Sequence, residues 1–194
     1  AGAIDRVWLD AGDLHVHAIG EAAPQGICGS GIIDAVAALL DAGVIDSTGL
    51  IDVDGHDRLP APMRDRVGRR GEERVVTLVR AGEAGAAHEI VLTQDDVRQV
   101  QLCQGAIASG VAMLQRVAGV PDEAVSELML AGGFGNYVSI RSAKRIGLIP
   151  ALPDGRVRYV GNAAALGAQL ALLSERERER AEHIARRIEH VSLA

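Results

Sequence analysis

Leu128-Met129-Leu130-Ala131-Gly132-Gly133-Phe134-Gly135-Asn136-Tyr137 is the stretch on which the fold turns. Its apolar run is too short for a helix and stops at glycines, which is the pattern of a buried strand. A glycine pair at the end of such a strand removes the Cβ atoms that would block a flat ring. The carboxyl ends of strands are where open α/β sheets take their ligands. Phe134 and Tyr137 are two of only four aromatic residues in the chain; they either stack on a base or pack as a corner of the core. The glycine spacing is not the dinucleotide fingerprint, and no partner acid stands downstream.

Working upstream, Thr93 and Asp96 form a capping-box variant that opens a long helix, with Val97, Val100, Ile107, Val111, Leu114 and Val117 at helical spacing and Gly119 as its stop. Val75–Val79 and Glu89–Leu92 read as strands. Residues 46–74, rich in Asp, Gly, Pro and Arg, have no clean period and read as an insertion or a surface excursion. Gly26-Ile27-Cys28-Gly29-Ser30-Gly31 runs straight into a helix whose inward face is Ile32, Ile33, Val36, Leu39 and Leu40. Free N–H groups at a helix start favour phosphate, although a tight turn with Ser30 as N-cap explains the same residues. Val7–Leu9 and Leu14–Ile19 read as a hairpin turning at Gly12-Asp13.

Downstream, Ser139 caps a short helix ending at Gly147, Val157–Val160 is a strand, and Asn162 caps a small-residue helix through Ala168. Ser174 and Glu177 make a capping box for an amphipathic helix with Ala181, Ile184, Ala185 and Ile188 inward. Strands followed by helices alternating with strands predict an α/β class with a mixed sheet flanked by helices.

Composition narrows the function classes. A net charge of −6 argues against a nucleic-acid or anionic-membrane binder. The Arg-rich run from Arg64 to Arg74 and the Glu/Arg run after Ser174 read as solvated faces. Two distant cysteines, Cys28 and Cys103, make neither a disulfide framework nor a metal-cluster set, in keeping with a reducing cytoplasm. No apolar run of about 18 residues is present. The opening Ala1-Gly2-Ala3 reads as mid-domain, so the chain is expected to be part of a longer protein.

Taken in order, Gly26–Asp34, Leu92–Val97, Leu130–Tyr137, Ile146–Pro150, Gly161–Ala164 and Leu170–Ser174 resemble the second half of the actin-like ATPase superfamily. Within it they are most similar to the reductive activators of corrinoid proteins. The resemblance implies a ribonuclease H-like, actin-like lobe over residues 1–174, with 46–92 an insertion or small subdomain and 175–194 a terminal helix packed on it. It implies ATP or ADP with magnesium, Gly29, Ser30 and Gly31 lining the phosphate side, and Gly132, Gly133, Phe134 and Asn136 near adenosine. Magnesium is expected to be held through water, with no metal ligand or catalytic residue identified in this chain.

The longer protein is then expected to carry an N-terminal two-iron, two-sulfur domain. It would return a corrinoid cofactor from Co(II) to Co(I) on a methyltransferase-system partner, with a homodimer as the expected assembly. The family's upstream Asp-x-Gly-Thr-Asn stretch is not found, and Gln104 stands where relatives often have Lys. The alternatives are a non-catalytic actin-like binding or dimerisation module, or a lobe of a kinase or 2-hydroxyacyl-CoA dehydratase activator.

Three further candidates are weaker. Cys28 beside a helix start reads as an ordinary thiol rather than a cluster ligand. His15 and His17 share one strand face without a third ligand. Asp34 reads as a solvent-facing first-turn acid, or as a residue reaching magnesium-bound water.

Overall fold

A computed structural model describes residues 1–132 and 137–192, the His56 side chain excepted. The elements run β1 (Ala3–Asp10), β2 (Asp13–Ala18), β3 (Gly26–Ile27), α1 (Gly29–Asp41), α2 (Ala61–Arg64), β4 (Val67–Arg70), β5 (Glu73–Val79), β6 (Ile90–Thr93), α3 (Gln94–Ala118), β7 (Leu128–Ala131), α4 (Ile140–Arg145), β8 (Val157–Gly161), α5 (Ala163–Leu173) and α6 (Glu175–Ala185). The result is a mixed α/β chain, as its sequence predicts. It forms two compact units, Ala1–Ile107 with Val138–Ile149, and Ala108–Tyr137 with Pro150–Ala194.

The first unit holds two three-stranded sheets, ordered β2-β1-β3 and β4-β5-β6. The β1–β2 hairpin is antiparallel and turns where Gly12 takes φ +81°. β3 runs parallel to β1 but pairs only at Ala3 and Ile4. The unit's main core is built on Ile4, Leu39, Val44, Ile51, Met63, Val76, Leu78 and Leu92, and a smaller one joins Ile33 of α1 to Val138, Ala143 and Leu148 around α4. The stretch 46–74 is therefore no surface excursion: Ile51, Val53, Leu59 and Met63 are all buried. Its core residues sit on turns and a single helical turn, so no period marks them. Gln94 ties this stretch to α3, accepting from the Ile51 N–H at 2.9 Å and donating to the Gly49 carbonyl at 2.8 Å.

Arg66, inside the run that reads as solvated, is only 3 % exposed. Its Nε donates to Asp13 Oδ1 at 2.6 Å, Nη2 to Asp13 Oδ2 at 3.2 Å and to Glu83 Oε1 at 3.0 Å, and Nη1 to the Leu78 carbonyl at 3.1 Å. One guanidinium thus joins the β1–β2 turn to the chain after β5. The planar five-donor fork of arginine suits such a site and the single ammonium of lysine does not.

In the second unit β7 and β8 pair in parallel, Leu128 with Val157 and Leu130 with Tyr159. Two capped helices follow: Asn162 Oδ1 accepts from the Ala165 N–H at 3.1 Å, and Ser174 Oγ from the Glu177 N–H at 3.3 Å, as the sequence predicts. Burial departs from expectation. Met129 on β7 is 55 % exposed, and Ile184 and Ile188 are 50 % and 72 % exposed instead of inward. α6 packs chiefly along α5, itself without a buried residue, so a single small-residue helix is too little to cover an apolar face.

Candidate functional site

The start of α1 is pressed onto β1. Cys28 occupies the N-cap position with extended backbone and no side-chain cap. Its N–H donates to the Ile4 carbonyl at 2.9 Å, and its Sγ lies 3.2 Å from Ser30 Oγ. Ser30 therefore sits inside the first turn, 2 % exposed, and is not the cap. Gly31 meets the same Ile4 carbonyl: a Cβ on it would stand 2.3 Å from that oxygen. Its missing side chain is what lets helix and strand approach so closely.

Gly132, in the second unit, ends β7 with φ +101°, a conformation that calls for glycine. Its N–H donates to the Gly161 carbonyl at 2.8 Å, and no atom of the described residues lies within 4 Å of where a Cβ would stand. Gly133, Phe134 and Asn136 lie outside the described residues. Gly29, Ser30 and Gly31 are thus brought together on one helical turn, and Gly132 is described in its own unit.

The first unit also contains a groove of about 470 Å³. One wall is β1 from Arg6 to Leu9, another is α1 at Asp34, Ala37, Ala38 and Asp41, and the third is α4 with Ser139, Arg141, Ser142 and Arg145. The α4 residues escape a sequence reading because only the fold brings them to α1. The one local signal is Ser139, whose Oγ accepts from the Ser142 N–H at 3.2 Å.

Asp34, expected in solvent, is 6 % exposed. Its Oδ2 accepts the Val7 N–H at 3.4 Å, while Oδ1 has no hydrogen-bond partner among the described residues. Burial pushes its pKa above the ordinary 3.8, opposed by the Ser142 hydroxyl and the Val7 N–H. A raised folded-state pKa contributes stability that is full below 3.8 and is lost as the pH rises through the folded value. Asp34→Asn is therefore expected to gain on the wild type in stability as the pH goes from below 3.8 to 7. Urea melts at the two pH values measure this; an unchanged difference would contradict it.

The histidines have local roles. His17 Nδ1 is 2.6 Å from Asp5 Oδ1, and the His15 ring stacks on Trp8 with centroids 5.8 Å apart. Among the described residues no group of three or more His, Cys, Asp or Glu is placed to hold a metal ion, and no helix is long and apolar enough to cross a membrane.

Comparison with known proteins bears on the whole chain. The family described as "C-terminal domain of RACo the ASKHA domain" matches residues 1–194. The chain is 41 % identical over 195 residues to "Corrinoid activation enzyme RamQ" of Eubacterium limosum, an alignment covering 100 % of this chain and 32 % of that protein. It superposes on the structure of a "Reductive activator for corrinoid,iron-sulfur protein" with a TM-score of 0.88 at 34 % identity, covering 100 % of this chain and 30 % of that one. In both cases the chain spans less than a third of its relative.

Proposed function

Because the chain belongs to the family of C-terminal ASKHA domains of RACo, the reductive activators of corrinoid proteins, we propose that it is the adenine-nucleotide-binding part of an ATP-dependent activator that returns a corrinoid partner protein from Co(II) to Co(I). The observation that carries this reading is likeness along the entire chain, 41 % identity over 195 residues, to a corrinoid activation enzyme. The partner would be a corrinoid protein of a methyltransferase system in the cytoplasm. The two-iron, two-sulfur cluster would belong to another part of the longer protein, which would work as a homodimer.

In this reading Gly132, Gly133, Phe134 and Asn136 face adenosine. The absence of any described atom within 4 Å of a Gly132 Cβ position supports this reading. Gly29, Ser30 and Gly31 face the phosphates, with magnesium held through water. The room at Gly31 is taken by the Ile4 carbonyl, so phosphate contact at α1 would come from main-chain N–H groups of the first turn and not from space beside glycine. Nucleotide would assist an uphill electron transfer only through different affinities for the states of the activator–partner complex.

The same packing at Gly31 favours a second reading, an actin-like binding module without nucleotide. Titrating Mg-ADP calorimetrically into the full-length protein separates the two. Saturable heat is expected from the wild type, and about tenfold weaker binding from Phe134→Ala, the usual scale for a lost base-stacking surface. Gly132→Val is expected to weaken binding further. Absence of heat with both Mg-ADP and Mg-ATP would establish the module, whereas wild-type affinity in both variants would place adenosine away from Gly132 and Phe134.

A further inference from the structure

We propose that the groove on the first unit binds an acidic polypeptide segment in extended conformation, which adds as a strand to the open edge of β1. β1 is paired with β2 along its length, but on its other edge β3 covers only Ala3 and Ile4. From Asp5 onward that edge has no strand beside it among the described residues. The Val7 N–H points to this side, because it reaches Asp34 on α1. Strand alternation sends the main-chain groups of Val7 and Leu9 to the same edge. An edge without a partner strand is a template for an added strand, and here, with only the Val7 N–H taken up by Asp34, it forms a wall of the groove.

The groove is shaped and charged for such a segment. Ala37 and Ala38 on the helical wall are small enough for a backbone to lie against them. Among the described residues Asp34 Oδ1 is a buried acceptor in that wall without a hydrogen-bond donor, and leaving such a group unmade is costly. A main-chain N–H of an incoming strand supplies the missing donor. Charge selects the sequence. Arg6, Arg141 and Arg145 line the groove against Asp34 and Asp41. Asp41 already engages Arg145 at 2.5 Å and Arg141 at 3.8 Å, while Arg6 makes no direct ion pair among the described residues and acts on Asp34 only through space. The remaining positive charge faces the groove, and charge complementarity of this kind sets partner choice more than affinity.

The test uses fluorescence anisotropy of a labelled short peptide of alternating valine and glutamate, titrated with the whole protein. Saturable binding is expected, weakened at least about tenfold when glutamate is replaced by lysine. Methylation of alternate peptide nitrogens should abolish it. Arg6→Glu, at an exposed position, is expected to weaken binding about tenfold with an unchanged melting temperature, and Arg141→Glu should add to the loss. No saturable binding overturns the proposal. So does equal binding of the N-methylated peptide, or full competition by free glutamate or inorganic phosphate, which would make this a small-anion site. Doubling of the mass of peptide-free protein that is reversed by Arg6→Glu would assign the edge to a second copy instead.

Discussion

Arg66→Met is expected to lower the free energy of unfolding by about 3 kcal/mol at neutral pH, the lower end of what breaking a buried ion pair from one side costs. The lower end applies because the carboxylate partners are not sealed: the side chains of Asp13 and Glu83 are 30 % and 38 % exposed, against 2 % for Arg66. Water can recover the carboxylates, but the Leu78 carbonyl and the space vacated in the core are harder to compensate. The variant carries its own signature in pH. The hydrogen bond from Arg66 is the largest influence holding Asp13 below its ordinary 3.8. Burial pushes Glu83 up, but hydrogen bonds from Arg66 and from the Arg80 N–H hold it below its ordinary 4.5. Groups with depressed folded-state pKa values contribute stability that is present above the unfolded values and is lost as the pH falls through the folded ones. The gap between wild type and Arg66→Met should therefore be full at pH 7 and shrink on acidification below 4.5 and then 3.8. Urea melts across this range decide it, and a gap that stays constant with pH would show that Arg66 acts by packing alone. Arg66→Lys is expected to restore only part of the loss, since an ammonium with three donors cannot reproduce the paired bonds to Asp13 together with those to Glu83 and the Leu78 carbonyl.

That staple also shows where sequence reading stops. Arg66 sits among Arg64, Arg69, Arg70 and Arg74, and nothing in a charge run tells which member turns inward; its partners are 53 and 17 residues away. Elements with a local code were legible. Thr93 and Asp96 close the start of α3, with the Thr93 N–H donating to Asp96 Oδ2 at 2.8 Å, and Ser139, Asn162 and Ser174 each cap the helix they precede. A cap is written within four residues, so it survives without tertiary knowledge. Burial is not local. The apolar run Leu128–Ala131 reads as a buried strand, yet Met129 is 55 % exposed, because the layers that cover a strand come from elsewhere in the chain. Asp34 fails the opposite way: one turn into an amphipathic helix it looks solvent-facing, but β1 and α4 close over it. The groove was invisible for the same reason, its walls being drawn from three separated segments.

Gly31→Ala tests the residue where a ligand reading and a packing reading meet. Helix propensity alone favours the change, since alanine in a helix is better than glycine by about 1 kcal/mol. The structure predicts the opposite sign. The new methyl would lie 2.3 Å from the Ile4 carbonyl oxygen and 3.0 Å from both the Ile4 carbonyl carbon and Ile27 Cγ1. Two of these are main-chain atoms, so no rotamer change relieves the contact, and α1 must lift from β1. The same carbonyl accepts the Cys28 N–H at 2.9 Å, so lifting the helix strains that bond as well. Forced overpacking of this kind costs typically about 1–3 kcal/mol; the upper end applies here, leaving a net loss of about 2 kcal/mol after the propensity gain. Gly105→Ala in α3 is the matched control, because nothing lies within 4 Å of its Cβ position, and it should gain about 0.5–1 kcal/mol. Opposite signs at the two positions in denaturant melts are the expected result. A gain at both would mean that Gly31 is bare for some reason other than the strand beneath it, and would return the space at the start of α1 to a bound phosphate. A loss confined to Gly31 leaves the main-chain N–H groups of the first turn as the only means by which that helix can hold an anion.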